Sequence, residues 1–123
     1  MKEIFVERAK ENLLAAEILY ENNLFNASAN RAYYSAFHIA IAAIYSIGIT
    51  PEIDHKTIQT LFAEIFCNRR KIVSSRFKGY LKDLQHIRSN ADYKNGVSKK
   101  DAKQQIKYSK EFVELLLGVI KWS

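Results

Sequence analysis

One cysteine, one proline and four glycines in 123 residues exclude several kinds of protein at once. A lone Cys67 leaves no intrachain disulfide framework, which points to a reducing compartment. So little proline and glycine leaves few turn signals, and a sheet protein of this size needs many. No C-x-x-C or H-x-x-x-H spacing suggests a metal. A glycine-rich phosphate loop, a G-x-S-x-G elbow and a Walker-type lysine are also missing, so hydrolase or kinase chemistry of those kinds is excluded.

Long apolar runs are missing too. The longest apolar-rich stretch, Ala32 to Ile47, contains His38 and two serines and falls short of the roughly 20 residues a bilayer span needs. The opening MKEIFVERAKENL is charged from residue 2 and does not read as a signal peptide. A soluble, cytoplasmic protein with no membrane association is expected.

What is present is helical. Apolar residues make up 48% of the chain, and their spacing predicts a helix over 3–22 with Val6, Ala9, Leu13, Ala16 and Tyr20 as its seam. A second helix, from about Phe25 to Ile47, is apolar nearly all round, as befits the most buried member of a bundle. A third runs from about Asp54 to Phe66. A fourth, capped by Ser74 or Ser75, ends before Asn95-Gly96. A fifth begins at the S-x-x-D capping box of Ser98 and Asp101. The expected fold is all-α: one domain over 1–123, an up-and-down antiparallel bundle of four to five helices with short connections.

Charge is uneven. The net +6 equals the content of residues 67–82, where Arg69, Arg70, Lys71, Arg76, Lys78 and Lys82 occur with no acid. Arg69, Arg70, Lys71 and Arg76 are therefore a candidate patch for phosphate backbones. Solvated charges around a loop are the competing reading.

Two helices carry polar residues where leucines would fit. On the second, Arg31, Tyr34, His38 and Tyr45 recur at three, four and seven residues and so share a face. Such a stripe suits nucleotide or phosphate recognition, or else holds a helix interface together. On the fourth, Arg88 falls in the stripe of Phe77, Tyr80, Leu81, Leu84, Ile87 and Ala91, where an arginine needs a partner. Asp92, one turn on, is placed for an ion pair. His86 lies about 200° round the helix from Arg88 and faces away. His55 opens the third helix on the side of Ile58 and Phe62.

The segments NRAYYSAFH, DHKTIQTLF and LKDLQHIRSNADY, in that order and spacing, resemble the HEPN family of higher eukaryote and prokaryote nucleotide-binding domains. The resemblance implies a helical bundle that is commonly a homodimer and often works with a minimal nucleotidyltransferase as a toxin and antitoxin pair. It implies no cofactor. Active members cut RNA without metal, using an arginine followed after four to six residues by a histidine. Counted from Arg88, those positions hold Tyr93, Lys94 and Asn95. A phenol with an ordinary pKa of about 10 is a poor general base at neutral pH, so the arginine carries over and the histidine does not. Arg31, Tyr34, His38, Arg88, Asp92 and Tyr93 are the candidates for binding a nucleotide or RNA. Arg88, His38 and His55 are the candidates for any residual ribonuclease chemistry, and a purely structural dimerisation module is the third reading.

Overall fold

In a computed structural model, which describes residues 1–93 and 96–121 and the side chains of all of these except 90–93, the chain is an all-α bundle. Among the described residues there are five α-helices: α1 (Lys2–Glu21), α2 (Phe25–Ser46), α3 (His55–Phe62), α4 (Tyr80–Tyr93) and α5 (Lys99–Lys121).

The bundle is organised on α2. Small side chains at Ser28, Ala29, Ala32, Ser35, Ala36 and Ala40, all fully buried, let neighbouring backbones approach closely. The serine hydroxyls are satisfied across those contacts, as buried polar groups must be. Ser28 donates to the Ala16 carbonyl at 2.7 Å and Ser35 to that of Ala9 at 2.7 Å, which fixes α1 antiparallel to α2. From α5, Ser109 donates to the Ala32 carbonyl at 2.6 Å, and the buried Gln105 amide reaches the Leu84 carbonyl at 2.8 Å. Gln105 thereby locks α4 and α5 beside α2. The core runs from Phe5 and Ala9 of α1 through α2 to Ile58, Phe62, Leu81, Leu84, Phe112 and Leu116.

The seam of α1 differs from the expected one. Phe5, Ala9 and Ala16 are its buried residues, while Val6 and Leu13 are only half-buried. Asn12 lies on the face turned toward α2, where it meets Arg31 and His38.

Two other boundaries shift. The third helix is α-helical only to Phe62 and continues as a π-helical segment, Ala63–Arg69, with the Arg70 amide bonded to the Ile65 carbonyl at 2.9 Å. Within this wider turn three consecutive side chains, Ile65, Phe66 and Cys67, are buried. Ser74 caps a short 3-10 turn, Ser75–Phe77, rather than the fourth helix, which starts at Tyr80.

The starts of α3 and α5 are capped by side chains. Asp54 accepts the Thr57 amide at 2.8 Å, and Ser98 accepts that of Asp101 at 3.1 Å. Gly96 adopts φ +88°, and a Cβ there would stand 3.1 Å from the Asn26 Oδ1 that accepts the Val97 amide. Glycine is needed on both counts. No helix among the described residues is long and apolar enough to cross a membrane.

Candidate functional site

Arg31, Tyr34 and His38 occupy one face of α2, and the fold brings α1, α3 and α4 to it. Tyr34 is the hub. The Arg31 guanidinium carbon stands 5.4 Å from the centre of its ring and that of Arg88, from α4, 5.2 Å. Arg88 also lies 5.8 Å from the Tyr33 ring. The His38 and His55 rings are 6.0 and 6.1 Å from that of Tyr34. Two cations, two imidazoles and two phenols thus meet at the junction of four helices. Side chains lean toward the N-terminus of their own helix, which is how Arg88 and Tyr34 converge from antiparallel α4 and α2.

The two halves of the cluster are held differently. On the α1 side, Arg31 donates to Asn12 Oδ1 at 3.1 Å and to Asn30 Oδ1 at 2.8 Å, so neutral amides hold the guanidinium. The Asn12 amide nitrogen donates to the Arg8 carbonyl at 2.9 Å and stands 3.2 Å from His38 Nδ1. Burial, reinforced by Arg8 and Arg31, lowers the His38 pKa to about 4. On the α3 side, the Tyr33 hydroxyl is 2.6 Å from His55 Nδ1. Burial raises the Tyr33 pKa to about 12. Burial first, and then the Arg88 charge, holds His55 below the usual imidazole range. Both rings are therefore neutral at pH 7 beside two fixed positive charges, a setting suited to an anion.

Other sequence candidates lie elsewhere. Tyr45 stacks on Phe5 at 5.7 Å, away from the hub. His86 is exposed and lines a groove of about 430 Å³ between α4 and α5 with Tyr80, Asp83 and Tyr108. The side chains of Asp92 and Tyr93 lie outside the described residues. In the basic segment, Arg76 bonds Glu111, Arg69 stands 3.9 Å from Glu64, and Arg70 and Lys71 are exposed. Among the described residues no group of three or more His, Cys, Asp or Glu side chains is placed to hold a metal.

Asn12 and Tyr33 are the residues that sequence reasoning missed. The signal for Asn12 was available, since a polar residue three after Ala9 and four before Ala16 interrupts a buried stripe just as Arg88 does. Tyr33 carried no such signal, because a tyrosine in an apolar helix reads as core.

The model of the HEPN domain matches residues 3–119. The chain belongs to the HEPN family. Two relatives from the archaeon Methanocaldococcus jannaschii, each named "Putative toxin", are 30% identical. The first alignment covers 94% of this chain and 86% of the relative, the second 94% and 71%. A UPF0332 protein of the bacterium Gloeobacter violaceus is 27% identical over 91% of this chain and 90% of its own length. In this HEPN protein the arginine of LQHIRSNADY therefore sits at the α2 cluster, on the ring of Tyr34.

Proposed function

We propose that this HEPN protein has a toxin-like role in which it binds the phosphates of a nucleotide or RNA through Arg31 and Arg88. The observation that carries this reading is that both guanidinium groups converge on the Tyr34 ring. Arginine is suited to phosphate because its planar fork matches phosphate oxygens, and a tyrosine face offers a base something to stack on. We further place it as a cytoplasmic homodimer that works with a minimal nucleotidyltransferase, in keeping with the toxin names of its relatives. Calorimetric titration with ATP and a short single-stranded RNA tests the binding. Saturable heat in the wild type, lost in Arg31→Met and Arg88→Met proteins of unchanged helicity, is the expected result.

A second reading is metal-independent RNA cleavage by Arg88 with His55, because both approach the Tyr33 and Tyr34 rings. His55 would move the proton and Arg88 stabilise the phosphorane charge. Labelled RNA incubated in EDTA with wild-type and Arg88→Ala protein separates the two readings. Equal RNA survival leaves binding alone.

A further inference from the structure

We propose that Asn12 is the positioning residue of this site and that it fixes His38 as a neutral Nε2–H donor aimed at an anionic oxygen. The inference rests on the anion-binding reading above and assigns His38 a role within it.

Donors and acceptors around Asn12 fix both side chains. A guanidinium only donates and a backbone carbonyl only accepts. Arg31 therefore requires Asn12 Oδ1 to be the oxygen it meets, and the Arg8 carbonyl requires the other amide atom to be Nδ2. The orientation of the amide is settled by two independent contacts. Nδ2 has only hydrogens to offer, so the His38 Nδ1 beside it must accept. A neutral imidazole accepting at Nδ1 carries its proton on Nε2. A proton added at Nδ1 would set two donors head to head.

The surroundings leave the ring no route out of that state. Its facing charges are Arg8 and Arg31, both positive, and Phe5, Tyr34 and Phe37 pack around it. No carboxylate approaches it among the described residues. Nε2–H has no hydrogen-bond partner there either. His38 therefore cannot act as a general base through Nδ1, which Asn12 occupies, or through Nε2, which holds the proton. It can donate one hydrogen bond to an oxygen that Arg31 also attracts, which is what a phosphate oxygen offers.

Nitrogen-15 correlation of the imidazole in the intact free protein tests the tautomer without any ligand. A pyridine-type Nδ1 and a pyrrole-type Nε2 are expected at pH 7, and a protonated Nδ1 would overturn the proposal. In Asn12→Asp the carboxylate still accepts from Arg31 but now also accepts from Nδ1–H, so Nδ1 gains a proton. An unchanged Nδ1 in that variant counts against Asn12 as the cause. Titration with ATP and the short RNA should move His38 Nε2–H in the wild type, with affinity about tenfold lower in Asn12→Asp. Binding that leaves Nε2 unmoved sinks the donor role alone, while no binding at all removes the anion-binding reading with it. Should Asn12→Asp fold poorly, the wild-type tautomer and its titration still decide.

Discussion

The basic segment around residues 69–76 and the α2 cluster both hold cations, but they hold them in opposite ways. In the basic segment Arg76 bonds Glu111 and Arg69 approaches Glu64, on a surface where Arg69 and Arg76 are 71% and 63% exposed. In the cluster Arg31 is held by amide oxygens and lies over a ring, partly withdrawn from water. The first region has more charge and the second has more of it directed. Exposed ion pairs are screened and floppy, whereas a guanidinium fixed by neutral acceptors keeps its whole charge for a ligand. Net charge by segment thus says little about how firmly a cation is held.

The largest expected effect is loss of binding when the cluster loses its cations. Each charged hydrogen bond removed costs about 1.5–3 kcal/mol, or roughly 10- to 100-fold in affinity. Arg31→Met retains an apolar stem and removes the fork that lies over Tyr34. Calorimetry with ATP and RNA should show a fall of that size for Arg31→Met and for Arg88→Met. A fall below threefold in both would move the site elsewhere.

Next in size is Tyr33→Phe, which keeps the buried ring and deletes the hydroxyl that meets His55 Nδ1. Denaturant unfolding should register a loss of about 1 kcal/mol. Binding should change little, because the hydroxyl holds α3 against α2 rather than facing the hub. A large loss of binding with intact stability would instead make the Tyr33 hydroxyl a ligand contact.

The cluster also carries a pH signature. His38 has a pKa of about 4 in the fold against an ordinary value of 6.5, so between these values the unfolded chain binds more protons than the native one. Stability from this group is present in full above about pH 6.5 and drains away as pH falls toward 4. Thermal unfolding from pH 7 to pH 4 should show a falling midpoint, and His38→Gln should flatten that slope.

Helical phase made much of this legible. It placed Arg31, Tyr34 and His38 on one face, marked Arg88 as anomalous in an apolar stripe, and turned His86 away from it. It could not say which helices meet. Asn12 required knowing that α1 lies antiparallel on α2, so that residue 12 comes level with residues 31 and 38. The π-helical turn after Phe62 was invisible for a related reason. Ile65, Phe66 and Cys67 are three apolar neighbours, and only the packed core decides that all three turn inward. The cap at Ser98 was read because it is local chemistry, and Asp54, the cap of α3, was read only as the start of that helix, while Ser74 caps the 3-10 turn because the chain must first pass Phe77 into the core before α4 can begin.

The smallest expected effect is the one the charge count makes look largest. Replacing Arg69, Arg70 and Lys71 together with alanine removes half of the formal +6. These side chains stand on the exposed surface, where interactions beyond a Debye length of about 8 Å are screened at physiological salt. Affinity for a short RNA should fall only about twofold at that ionic strength, with the gap to wild type widening as salt is lowered. The Arg31→Met loss should keep most of its size across the same salt series, because those contacts are short and partly buried. If the triple variant loses as much as Arg31→Met at physiological salt, the order of the two regions reverses, and the RNA tracks the surface of residues 69–71 before it reaches the cluster.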